Sequence, residues 1–110
     1  METEEFLADV GRILTQPEHD ALILYLARYP ESGDLMPGTG GLRKLRWFGQ
    51  GRGKRGGSRV IYYFHNRDAP LFLMALLAKN VQSDLSQDER RALIARLKAL
   101  KSRLAERGTK

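Results

Sequence analysis

The stretch from Thr39 to Phe64, TGGLRKLRWFGQGRGKRGGSRVIYYF, decides the fold of this chain. Its first part has the alternating pattern of a β-strand, in which successive side chains point to opposite faces. Leu45 and Trp47 then lie on one face, while Lys44 and Arg46 lie on the other. The pattern therefore predicts two cations side by side on one sheet face.

A second strand is predicted from Ser58 to Phe64, because β-branched and aromatic residues dominate this run. Arg59 and Tyr63 would share one of its faces. The turn-forming residues that follow favour a third strand from Leu71 to Ala78. That strand is apolar on both faces, which is typical of a central strand covered by helices on one side. Its opposite face would be partly shielded or would form a binding surface.

Helices flank these strands. Thr15 and Glu18 have the spacing of a capping box, and leucines and tyrosines at helical spacing continue to about Tyr29. The shorter run FLADVGRIL predicts another helix before it. Ser86 and Glu89 repeat the capping-box spacing and introduce a leucine stripe that continues to Gly108. We therefore expect an α+β fold, with a small antiparallel sheet, N-terminal helices and a C-terminal helix.

The chain of 110 residues is long enough for a single domain covering residues 1 to 110. It contains no cysteine, which excludes disulfides and thiolate metal sites. No apolar run is long enough for a membrane span, and the acidic METEE start lacks the basic segment of a signal peptide. These features favour a cytoplasmic protein without a membrane association.

The net charge of +6 is concentrated in the middle of the chain. Residues 1 to 38 carry two basic and eight acidic side chains, whereas residues 39 to 68 carry eight basic and one acidic. Seven cations between Leu42 and Arg59 meet no carboxylate: Arg43, Lys44, Arg46, Arg52, Lys54, Arg55 and Arg59. Such a concentration of like charge indicates a polyanion or an acidic partner on one face, and its chemistry suits phosphate.

Several other kinds of site are not supported. The glycines from Gly51 to Gly56 match G-x-G-x-x-G, but a strand follows them where a dinucleotide site requires a helix. The residue after Lys54 is Arg55, whereas a P-loop needs serine or threonine there. His19 and His65 have no partners at metal-ligand spacing, so we expect neither a metal nor a cofactor. No histidine and acid arrangement identifies a nucleophilic serine or threonine.

Three segments, GTGGLRKLRW, GKRGGSRVIYY and AKNVQSDLS, resemble in order and spacing the RelE/ParE superfamily, and within it the HigB-type toxins of bacterial type II toxin-antitoxin modules. The resemblance implies a RelE-like fold whose sheet presents a basic face. The family begins with a short strand before its first helix. METEE is too brief and acidic to supply that strand fully, so we expect it to be short or missing, and either the true start lies upstream of Met1 or one sheet edge is open.

The resemblance also implies a function. RelE and HigB toxins enter the ribosomal A site and cut mRNA without a metal ion, by attack of a 2′-hydroxyl on the adjacent phosphate. Carried over by position, the expected catalytic residues are Lys44, Arg46, Lys54, Arg59 and Lys79. The expected RNA-binding residues are Arg43, Arg52, Arg55, Tyr63 and Asn80. Arginines would stabilise the phosphate, and the lysines would have acid/base or positioning roles.

Two other hypotheses stay open. Relatives have a tyrosine where Leu77 stands, and an arginine and a tyrosine where Asn80 and Ser86 stand, which suits a catalytically inactive relative that binds RNA or antitoxin. A ParE-like toxin would instead inhibit DNA gyrase, although the dense cations favour RNA. In each case the family implies a cognate antitoxin as partner, usually with a helix-turn-helix DNA-binding domain.

Overall fold

The computed structural model describes residues 1–47, 57–68, 71–78 and 84–108. Within them the chain forms, in order, α1 (Glu4–Ile13), α2 (Gln16–Arg28), β1 (Asp34–Leu35), β2 (Leu42–Trp47), β3 (Ser58–Phe64), β4 (Leu71–Ala78) and α3 (Gln87–Gly108). The strands make one antiparallel sheet in the order β1-β2-β3-β4. The expected α+β fold is confirmed. No helix among these residues is both long and apolar enough to cross a bilayer.

Both predicted capping boxes are present. The Thr15 hydroxyl accepts from the Glu18 backbone N–H at 3.3 Å, and the Glu18 carboxylate accepts from the Thr15 N–H at 2.8 Å. Ser86 and Glu89 make the same reciprocal pair at 3.1 and 2.8 Å. Each pair satisfies two N–H groups that a helix start otherwise leaves without a partner. These local bonds fix where α2 and α3 begin.

Helices cover both faces of the sheet, in contrast to the one-sided cover expected from the sequence. On one face, side chains of α1 and α2 such as Phe6 and Leu22 pack on Tyr62 and Leu73. On the other face, Leu93 and Leu97 of α3 pack against a second cluster, which also contains Met36, Leu42, Ile61, Tyr63, Phe72 and Met74. The apolar character of both faces of β4 therefore serves two cores rather than one core and an open surface.

The N-terminal residues take the place of the expected short first strand. Glu2 forms a single parallel bridge with Leu73 of β4. The Thr3 N–H donates to the Leu73 carbonyl at 3.1 Å, and the Leu73 N–H donates to the Met1 carbonyl at 2.8 Å. One bridge covers only the first half of β4. The prediction of a first strand that is short is confirmed in this form.

The loop between α2 and β1 is held by two neighbouring side chains on the same face of the sheet, Tyr62 and Arg43. The Gly33 N–H donates to the buried Tyr62 hydroxyl at 2.8 Å. The Arg43 guanidinium donates to the backbone carbonyls of Gly33 at 2.7 Å and Glu31 at 3.2 Å. A side chain cannot fit at Gly33, because an added Cβ atom would lie 2.8 Å from the Tyr62 ring. These contacts make the loop a fixed part of the fold.

Candidate nucleic-acid interface

The pairing of β2 with β3 brings three predicted cations together. Arg46 lies directly opposite Arg59, and Lys44 lies opposite Ile61, two residues along the same face. Residues that oppose each other in an antiparallel pair have side chains on the same face, about 5 Å apart at the Cβ atoms. Lys44, Arg46 and Arg59 therefore form one group, which we call the basic cluster. The register of β2 against β3 places all three cations on one face of the sheet, as the sequence pattern predicts.

The basic cluster is unfavourable for the fold. Like charges placed directly opposite each other destabilise a sheet. Arg59 is also half-buried, and its Nε atom is buried without a hydrogen-bond partner among the residues described. A buried donor without a partner costs about 1–3 kcal/mol. An anion that accepts from Arg59 and lies between the two arginines would relieve both costs.

The surface beneath the cluster is apolar. Ile61 is fully buried beside Lys44, and Leu77 of β4, only 8% exposed, lies opposite Arg59. The α3 helix packs over Ile61 and the side chains beyond it, while Arg46 stays exposed. Charges above an apolar surface are less well screened than charges in open water. This position therefore strengthens the attraction between the cluster and an anion.

An acidic residue that the sequence patterns did not single out also reaches the cluster. The Asp84 carboxylate lies 3.2 Å from the Lys44 ammonium, with side-chain exposures of 54% and 26%. The Leu85 N–H donates to Asp84 at 2.8 Å and lowers its pKa, and the hydrogen bond and charge of Lys44 and the charge of Arg59 lower the pKa further against a desolvation penalty. Asp84 is therefore ionised at neutral pH and partly neutralises the cluster.

Two predicted RNA contacts lie elsewhere. Arg43 belongs to the opposite face of β2, where its guanidinium is bound to the carbonyls of the α2 to β1 loop. Tyr63 shares the face of Arg59 but is only 7% exposed, beneath Lys101 of α3. Its ring is part of a core, and its hydroxyl is bonded to His65 Nδ1 at 2.9 Å. Neither position favours direct contact with RNA, and the RNA-binding roles of Arg43 and Tyr63 stay predictions.

The other predicted site residues lie outside the described part of the chain. They are Lys54 and Lys79 among the catalytic predictions, and Arg52, Arg55 and Asn80 among the RNA-binding ones. Ser86 serves as the cap of α3. Among the described residues there is no group of three or more histidine or acidic side chains arranged to hold a metal ion.

A comparison with models of known protein families finds no match for this chain. The candidate interface consists of two opposed arginines, a lysine and a carboxylate above an apolar patch.

Proposed function

We propose that this protein is the toxin of a type II toxin-antitoxin module and cleaves mRNA on the ribosome without a metal ion. The observation that carries the proposal is the opposition of Arg46 and Arg59, with Lys44 on the same face. Like charges placed directly opposite each other destabilise a sheet, and Arg59 in addition has a buried Nε without a described partner. Binding of a phosphodiester would account for this arrangement. The resemblance to RelE and HigB toxins supports the same function.

The proposed reaction is an internal transfer at phosphorus. The 2′-hydroxyl loses its proton and its oxygen bonds to the neighbouring phosphorus, the bond from phosphorus to the 5′ oxygen breaks, and that oxygen takes up a proton. Arg46 and Arg59 would stabilise the negative charge that builds up on the phosphoryl oxygens. Guanidinium groups suit this task because they stay charged and bind phosphate through two parallel hydrogen bonds. One preorganised donor of this kind typically contributes roughly 3–4 kcal/mol.

Asp84 has a specific place in this proposal. Its carboxylate is an internal anion held by Lys44, in a position to compete with the RNA phosphate for the cluster. Because its pKa is lowered, it is a weak base near neutral pH and suits the role of counter-ion better than that of proton acceptor. Binding of RNA would then require Lys44 to exchange Asp84 for a phosphate.

A second candidate function is RNA binding without cleavage. Leu77 lies opposite Arg59 and provides no hydroxyl for proton transfer at this position. Under the leading proposal the proton transfers fall to Lys44, Lys54 and Lys79. If those lysines do not transfer protons, the basic cluster remains a phosphate-binding surface, and the protein acts by binding RNA or an antitoxin.

The proposed partner is a cognate antitoxin whose acidic segment covers the basic cluster. The chemistry favours a carboxylate-bearing chain, because its oxygens would accept from the buried Arg59 Nε as phosphate oxygens would. Co-purification of a small, separately tagged protein encoded beside this chain tests the pairing. We expect a complex that persists at low salt and weakens as salt rises; failure to retain any such protein at low salt would contradict it.

Induced expression in a bacterial host, followed by mapping of mRNA ends, tests the function. The nuclease proposal predicts growth arrest and new ends inside translated codons, absent when the ribosome is kept off the message. Arrest with intact mRNA and inhibited gyrase would support the ParE-like alternative. Normal growth with retained RNA affinity would support the binding protein.

A further inference from the structure

A second cleft lies at the other end of β3 from the basic cluster. It has a volume of about 890 Å³ and is lined by the C-terminal end of α2, the loop after it, and the residues that follow β3, including Tyr25, Arg28, Tyr29, Glu31, Asn66 and Arg67. This volume is in the range of small-molecule binding sites. Arg59 and Phe64 are separated by five residues of strand, or about 17 Å. The cleft is thus a separate place on the molecule.

A row of tilted aromatic rings borders the cleft, and two of them, Tyr25 and Tyr29, line it. The Tyr25 ring centroid lies 5.1 Å from that of Tyr29 and 5.4 Å from that of Trp47, with tilts near 50° in both pairs. Tyr29 ends the row and is 51% exposed. Tyr25 and Trp47 pack against the α1 and α2 core, so the row is anchored at its inner end. Its outer end offers a ring surface to a planar ligand.

Cations border this ring surface. Arg28 and Arg67 are exposed, and neither makes an ion pair or a hydrogen bond with the rest of the described chain. Asn66 accepts from the Asp68 N–H through its side-chain oxygen, which leaves its amide NH₂ group to donate. Glu31 is the carboxylate on the lining. Two arginines beside an exposed ring suit a ligand that combines an anion with an aromatic base.

The loop that carries Glu31 and Ser32 is already fixed in place. Arg43 binds its carbonyls and Tyr62 accepts from Gly33, as described above. A wall that is ordered before the ligand arrives reduces the entropy cost of binding. Arg43, which was predicted to touch RNA, therefore has a positioning role in the cleft.

We propose that this aromatic cleft binds one nucleotide of single-stranded RNA, with the base on Tyr29 and the phosphate at Arg28 and Arg67. The choice of RNA as the natural ligand rests on the proposed function, although the binding of a nucleotide does not. An acidic peptide would use the arginines but leave the ring unused. An apolar helix would bury two arginines and Glu31 without partners. In a longer RNA, this cleft would hold a nucleotide some distance from the phosphate bound at the basic cluster.

Titration of the ¹⁵N-labelled protein with adenosine 5′-monophosphate, followed by NMR, tests the site directly. We expect saturable shifts at the backbone amides of Tyr29 and Asn66, and much smaller ones with ribose 5-phosphate, which lacks the base. Tyr29→Ala should weaken binding about tenfold, as expected for loss of one stacked base, while Tyr29→Phe should retain it. The control is Leu24→Ala, an exposed change in α2, the helix that ends directly before Tyr29, and it should have no effect.

A separate double variant tests the two arginines of the cleft. Arg28→Gln combined with Arg67→Gln should weaken nucleotide binding and reduce its dependence on salt. Equal affinity of Tyr29→Ala and the unchanged protein, equal shifts with ribose 5-phosphate, or shifts confined to Lys44 and Arg59 would each overturn the proposal.

The proposed nuclease activity and the proposed nucleotide binding in the cleft can be tested independently. Arg59→Met should abolish cleavage and leave nucleotide binding at Tyr29 intact. If the proposed function is wrong but the cleft binds a nucleotide, the unchanged protein will leave mRNA intact and still show the expected NMR shifts with adenosine 5′-monophosphate. If only the nucleotide-binding proposal is wrong, the protein will cleave mRNA and will not show those NMR shifts.

Discussion

Replacing Asp84 by asparagine should make the protein bind RNA more tightly. Asp84 is the carboxylate that lies 3.2 Å from Lys44 and whose pKa is lowered in part by the charge of Arg59. Asparagine keeps nearly the same shape and can still accept from the Leu85 N–H. The change therefore removes one negative charge from beside the basic cluster and frees Lys44 for a phosphate.

The size of the effect follows from the Coulomb energy. A phosphate at the cluster would lie about 5 Å from the Asp84 carboxylate, where two unit charges repel by about 3 kcal/mol at an effective dielectric constant of 20 and by about 1 kcal/mol in water. Asp84 is more than half exposed, so the lower value applies. A change of about 1 kcal/mol corresponds to roughly fivefold tighter binding.

Fluorescence anisotropy with a labelled RNA oligonucleotide measures this difference. Methylation of every 2′-hydroxyl prevents cleavage, so binding is observed alone. Asp9→Asn in α1 is the control, since it removes the same charge from a residue paired with Arg12 rather than with the cluster. Unchanged affinity for Asp84→Asn, or an equal gain for Asp9→Asn, would show that Asp84 does not compete with RNA.

Three further outcomes concern the fold and its pH dependence. Gly33→Ala should lower the thermal midpoint, because its Cβ would meet the Tyr62 ring at 2.8 Å, whereas Gly11→Ala has open space in α1 and should raise stability by up to about 1 kcal/mol. An equal midpoint for the two variants would contradict the close approach. Tyr62→Phe should cost about 1–3 kcal/mol in chemical denaturation, since it leaves the buried Gly33 N–H without its acceptor, and the exposed Tyr29→Phe should cost almost nothing. The pKa of Asp84 is lower folded than unfolded, so its stabilising contribution is present above the ordinary aspartate pKa of about 3.9 and disappears as the pH falls through the lower folded value. The difference in the free energy of unfolding between the unchanged protein and Asp84→Asn should therefore vanish in strong acid. A difference that grows as the pH falls would contradict this prediction.

The sequence predicted the elements whose signals are local. The strands Ser58–Phe64 and Leu71–Ala78 were predicted with the bounds that the structure has, because turn residues border each run. The start of α2 followed from its capping box. By contrast, Asp34–Leu35 was not predicted, since two residues carry no periodic pattern and form a strand only by pairing with β2.

Other features depend on contacts between distant parts of the chain. The leucine stripe of α3 predicted an apolar helix face, but not that Leu93 and Leu97 would cover the second face of the sheet. That packing is what buries Tyr63, which alternation alone placed beside the cations. Asp84 was missed for the same reason, because it meets Lys44 across 40 residues of sequence. The face shared by Lys44, Arg46 and Arg59 was predictable, since alternation fixes it once the strands pair.

The most direct experiment compares RNA cleavage by the unchanged protein and by Arg59→Met on ribosomes programmed with a defined message. Methionine keeps an apolar stem above Leu77 while removing the guanidinium and the repulsion from Arg46, so the variant should be at least as stable as the parent. Arg12→Met, which removes an exposed arginine of α1, is the matched control. We predict cuts inside codons with the parent and the Arg12 variant, and intact message with Arg59→Met. Equal cutting by a folded Arg59→Met protein would contradict the assignment of the basic cluster as the cleavage site.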